Sequence, residues 1–118
     1  MKYLLLIYQN PATWAALSDE ERAGLMHDAE VIMKELAETG EWVTGEALAP
    51  PALARAVRPR DGVPVLTDGP FIEAKEQLAG FCMFECATPE RAAEIAQRWP
   101  DARYAGVELR PLMTGSGG

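Results

Sequence analysis

The chain has 118 residues, of which 48% are apolar and 25% charged, and a net charge of −7 at neutral pH. This is one domain of ordinary globular composition. The acidic balance excludes nucleic acid as a partner, because phosphate binding needs clustered Lys and Arg. A run of about 20 apolar residues, as a membrane-spanning helix requires, does not occur. The apolar start, Met1 to Tyr8, is too short for a signal peptide and lacks a small-residue cleavage site before Trp14. The expected location is the cytoplasm, with no membrane partner.

Tyr3 to Tyr8 is a continuous apolar run, the pattern of a strand covered on both faces or placed in a dimer interface. Asn10-Pro11 ends it, and Ala12 to Leu17 suggests a short helical turn carrying Trp14. Ser18-Asp19-Glu20-Glu21 is a capping box that starts a helix running to about Thr39, with Gly40 as its left-handed stop. Leu25, Ala29, Ile32 and Leu36 fall on one face of that helix, and Met26 and Met33 widen the stripe.

Trp42 to Leu48 reads as a second strand closed by Pro50-Pro51. Ala54 to Arg60 and Val63 to Thr67 flank Asp61-Gly62, a strong hairpin signal. Leu78 to Cys86 is apolar on both faces and therefore central. Thr88-Pro89-Glu90 opens a second long helix, whose inner face is Ala92, Ile95, Ala96 and Trp99 and whose stop is Pro100. Ala105 to Leu112 is the last strand. Residues 1–113 form the domain, and 114–118 form a small-residue tail with nothing to pack. Cys82 and Cys86 lie four apart in a strand, about 13 Å, too far for a disulfide. They read as reduced and buried.

Two β-α-β units with helices on one face, plus the hairpin, predict an α+β fold, a ferredoxin-like sandwich with an inserted β-hairpin. Apolar residues on both sides of the strands require that the bare face be buried, and a second copy is the simplest cover. The expected partner is therefore the chain itself, as a homodimer.

The densest polar segment is Asp68-Gly69-Pro70-Phe71 followed by Glu73, Lys75, Glu76 and Gln77. A stiff turn followed by charge suits ligand contact. Asp68 and Glu73 are the candidate acid/base residues, provided burial raises one carboxylate. Lys75 is the candidate anchor for an anionic substrate, and Phe71 an apolar contact. The structural alternatives are an Asx-type turn at Asp68 and surface ion pairs among Glu73, Lys75 and Glu76. Glu46, in mid-strand after Gly45, reads equally as a candidate cavity residue and as a solvated strand end. Arg110 shares a face with Glu108 and either pairs across the sheet or reaches a pocket. Trp14, Trp42 and Trp99 read as core or interface, with Trp14 also a possible pocket wall. Serines sit only in the cap and the tail, which argues against covalent serine chemistry. No metal-ligand spacing or phosphate loop is present, so neither a metal nor a cofactor is expected. His27 lies roughly 170–200° from the apolar face of the first long helix and is expected to face solvent.

The segment Asp68-Gly69-Pro70-Phe71-Ile72-Glu73-Ala74-Lys75-Glu76-Gln77-Leu78-Ala79-Gly80-Phe81 resembles the signature of the YCII-related proteins of the DGPF-domain type. Met1-Lys2-Tyr3-Leu4-Leu5-Leu6-Ile7-Tyr8 and Val107-Glu108-Leu109-Arg110-Pro111 match as well, so the resemblance spans roughly Met1 to Met113. It implies a small bacterial protein, in a family mostly without an assigned reaction, whose fold is the dimeric α+β barrel with two sheets closing around a small-molecule cavity. A cofactor-free isomerase, lyase or hydrolase is one reading. Resemblance to accessory proteins encoded beside alternative sigma factors implies the other, a non-catalytic regulatory or interaction module. Relatives of the shorter type use a His–Asp pair with the His on the first helix; aligning the helix ends puts Asp28 or Ala29 of this chain near that slot.

Overall fold

Alternation of side chains sets the first layer. In β1 (Lys2–Gln9), Tyr3, Leu5 and Ile7 are buried while Leu4, Leu6 and Tyr8 on the other face are only half-buried. The structure is a computed structural model and describes residues 1–113. The expected tail, 114–118, lies outside the described residues.

α1 (Pro11–Ala16) starts on Asn10, whose side chain accepts from the amides of Ala12 and Thr13. α2 (Asp19–Thr39) begins with the predicted capping box, Ser18 and Glu21 bonding each other's backbone amides at 3.0 Å, and ends on Gly40 at φ 83°. Its buried residues are Leu25, Ile32 and Leu36. β2 (Trp42–Ala47) leads through a single 3₁₀ turn into the hairpin β3 (Arg55–Arg60) and β4 (Val63–Asp68). Asp61 and Gly62 both take positive φ, 53° and 81°, as a type I′ turn demands. β5 (Gln77–Glu85), α3 (Pro89–Arg98) and β6 (Gly106–Pro111) complete the chain.

The main sheet has the order β2-β5-β1-β6, all neighbours antiparallel, and the hairpin β3-β4 forms a separate two-stranded sheet. This is the expected α+β sandwich with an inserted hairpin. α2 and α3 cover one face, where Phe84, Leu5, Leu36 and Ile95 are wholly buried. Across that face Leu5 opposes Cys82 and Leu109, and Tyr3 opposes Phe84. Cys82 and Cys86 are free and buried, as expected. No helix among the described residues is long and apolar enough to cross a membrane.

Gly45 fixes how the edge strand β2 closes. A Cβ there would stand 2.7 Å from the Trp42 ring and 2.9 Å from the Cys82 Cβ. Only glycine lets the indole lie flat over the strand. The start of β2 is locked differently: Arg91 of α3 grips Glu41 with two hydrogen bonds of 2.9 and 2.8 Å and reaches Glu94 at 2.7 Å. The Arg91 hydrogen bonds hold the Glu41 carboxyl down to about 2, and Thr39 assists. A carboxyl lowered on folding stabilises above its unfolded value and loses that contribution as pH falls toward its folded value. Glu41→Gln is therefore expected to destabilise the protein by about 2 kcal/mol at pH 7. Urea unfolding across pH 7 to 2 checks this: the gap between parent and variant should shrink between pH 4.5 and 2.

Candidate functional site

Filling of the layer between α2 and the sheet is uneven. At its centre large side chains interlock, but at the end of β2 and β5 the facing residues are Gly45, Ala47, Ala79 and Gly80, opposite Ala29 of α2. Residues this small leave a cavity of about 350 Å³. Trp14, Trp42, Met26 and Met33 enclose it. Trp14 is held in place by Arg22, whose guanidinium donates to the carbonyls of Leu17 at 2.6 Å and Trp14 at 3.1 Å, tying the end of α1 to α2.

One carboxyl enters this apolar space. Asp101 stands in the 3₁₀ turn after α3 and accepts a hydrogen bond of 3.0 Å from the side-chain amide of Gln9, at the end of β1. Burial raises its pKa above the ordinary aspartate value, and the Gln9 bond offsets only part of that. A carboxyl of this kind exchanges a proton with a ligand more readily than a solvated one. Cys82 also lines the cavity, but burial pushes its thiol up to about 12, so it carries no thiolate for nucleophilic attack. No imidazole reaches the site: His27 is exposed on the outer side of α2, and Ala29 occupies the cavity wall. Asp28 pairs instead with Arg103 at 3.6 Å.

A second hollow, about 660 Å³, lies beside the loop that joins β4 to β5. Its wall is apolar, with Tyr8, Leu48, Pro51, Leu53, Phe71 and Ile72. The loop is stapled by Gln77, whose amide donates to the carbonyls of Ile72 at 2.9 Å and Ala74 at 2.8 Å. The Arg58 guanidinium stacks 4.1 Å over the Phe71 ring and donates to the Phe71 carbonyl.

The residues expected to form a site are only partly brought together. Phe71 borders the second hollow. Asp68, Glu73 and Lys75 are exposed and line neither space. Asp68 faces Arg55 across the hairpin at 3.5 Å, an exposed pair. Glu46 is exposed; its backbone borders the first cavity, and alternation from Gly45 turns its side chain to the uncovered face of the sheet. Arg110 lies on the same uncovered face, opposite Leu4, and binds Glu108 at 2.6 Å. β2 and β6 are the two edges of the sheet, so Glu46 lines up with Glu108 across three strand spacings, about 14 Å, and Arg110 lies two residues farther along β6. Asp101 and Gln9 were not among the expected residues. An aspartate after Trp99-Pro100 reads as an ordinary turn residue, and no local signal marks it.

Comparison with known proteins places this geometry. A protein of Rhizobium meliloti (strain 1021), itself uncharacterised, is 32% identical over 114 residues, covering 95% of this chain and 92% of its own. Among solved structures, the 5-chloro-2-hydroxyhydroquinone dehydrochlorinase of Burkholderia phenoliruptrix AC1100, in complex with 2,5-dihydroxybenzoquinone, is similar with a TM-score of 0.56. That match is 12% identical and covers 100% of this chain and 99% of the other, a likeness of fold. The YCII-related domain matches residues 1–114, and the chain belongs to the YCII-related family.

Proposed function

We propose that this protein is a cofactor-free acid/base enzyme that holds a small, ring-sized molecule in the cavity under α2, with Asp101 moving the proton. The observation that carries this reading is a carboxyl whose pKa is raised by burial, held by one amide, inside an apolar space walled by three indoles. Gln9 orients Asp101, and Trp14 and Trp42 supply flat apolar walls. Cofactor-free isomerases, lyases and hydrolases that work by acid/base catalysis use such a group. The similar fold of a dehydrochlorinase bound to a small hydroxylated ring supports that class of chemistry without assigning a substrate.

In the same reading the working unit is a homodimer. Leu4, Leu6, Phe81 and Met83 are left half-buried on the face of the sheet away from the helices. The subunit is a slab, 18 Å in its thinnest dimension, with a radius of gyration of 16.1 Å. A compact domain of this length has about 13.5 Å. A second copy laid on the bare face would enclose Glu46, Glu108 and Arg110 and bring the 69–76 loop to the rim of the resulting chamber. Under that cover Phe71 contacts a ligand in the second hollow and Lys75, outside that hollow, anchors an anionic group at the rim of the chamber. Asp68 and Glu73 are second candidates for proton transfer, since both are solvated in a single subunit.

Turnover separates the two sets of residues. A panel of small rings bearing hydroxyl, amino or halogen substituents is screened for consumption by the purified protein. On any substrate found, Asp101→Asn should lower kcat by about 10²–10⁴-fold with the fold retained. Asp68→Asn and Glu73→Gln should stay near the parent rate. An unchanged rate in Asp101→Asn, or a collapse in Asp68→Asn, moves the chemistry to the loop. Sedimentation equilibrium at micromolar concentration should give the mass of two chains, and Leu6→Glu with Met83→Glu should give one.

A further inference from the structure

The charge pattern of the same cavity narrows what enters it. We infer that the space under α2 selects organic cations, a ring-sized molecule carrying one ammonium group, over neutral or anionic molecules of the same shape. This rests on the reading of that cavity as the ligand site.

Among the residues that line it there is no Lys, Arg or His. Two guanidiniums on elements that border the cavity are already committed. Arg22 is spent on Asp19 and the carbonyls at the end of α1, and Arg103 on Asp28 outside the cavity. The polar groups that face the space are acceptors or neutral: the Asp101 carboxyl with Gln9 inside, and Glu30 of α2 at the exposed rim. Glu30 makes no ion pair among the described residues.

The indoles add to this. An ammonium seated against Trp14 or Trp42 is drawn to the negative face of the ring, and partial desolvation in the half-open cavity strengthens the attraction. Trp42 is held flat for this by Gly45, where a Cβ would strike the ring. A carboxylate ligand meets the opposite situation: no donor cation, two carboxyls nearby, and a desolvation penalty left unanswered. A neutral ligand gains the apolar walls alone. The net charge of −7 makes the long-range field act the same way.

Three size-matched probes test the inference: 2-phenylethylamine, 2-phenylethanol and phenylacetate, titrated at pH 7.5 by tryptophan fluorescence with equilibrium dialysis as a second readout. The amine should bind at least about tenfold more tightly than the alcohol, and the carboxylate more weakly than either. Asp101→Asn should remove most of the amine's advantage over the alcohol and leave the alcohol's own affinity unchanged. Glu30→Gln, a surface change that leaves folding intact, should weaken the amine alone by a smaller factor. If the alcohol or the carboxylate binds as well as the amine, the preference for cations is overturned while the cavity stands as a ligand site. Should none of the three bind at millimolar concentration, the ligand site itself is lost and this inference with it.

Discussion

Small side chains at one end of an otherwise dense layer are the constraint on which the rest of the structure depends. α2 is seated on the sheet by Leu25, Ile32 and Leu36, and the centre closes over Phe84 and Leu5. Interiors at that density tolerate few voids. Toward the end of β2 and β5, Gly45, Ala47, Ala79 and Gly80 withdraw bulk from the sheet just where Ala29 withdraws it from the helix. Each of these residues alone is a packing detail. Their coincidence leaves a hollow, and the aromatic residues around it are held at its edge: Trp42 by Gly45, Trp14 by the Arg22 clamp on α1.

Two carboxyls show how differently this fold treats charge. Glu41 is met by a two-pronged guanidinium and pushed down to about 2, and it ties α3 to the start of β2. Asp101 is given one neutral amide and an apolar surrounding, and it moves the other way. The first arrangement makes a stable anchor that never changes protonation near neutrality. The second raises the group's affinity for a proton. Among the described residues there are eight carboxylate–cation contacts, and half-buried Asp101 takes part in none of them.

Much of the framework was legible in the sequence because its causes are local. The capping box at Ser18, the left-handed stop at Gly40, the Asp61-Gly62 turn and the Thr88-Pro89 start each act within four residues. The outward position of His27 followed from helix periodicity. The site was not legible to the same degree. Asp101 acquires its character from Gln9, 92 residues away, and from a void that exists only after α2 and the sheet have packed. The charged stretch around Asp68 stands out in the sequence because its density is local. Folded, that density is mostly a solvated edge, with Gln77 and Arg58 serving to hold the loop in shape. Glu46 was placed by its strand, but the irregularity between Trp42 and Thr44 and the glycine that follows decide which face it shows.

The sign of one stability change tests the hollow directly. Ala29→Leu adds apolar bulk to the cavity wall from a helix position where leucine is well tolerated. If the space under α2 is empty and reserved for a ligand, urea unfolding should show the variant more stable by about 1–2 kcal/mol, with ligand binding lost. A variant less stable by about 1–3 kcal/mol, the response of a layer already filled, would contradict the account.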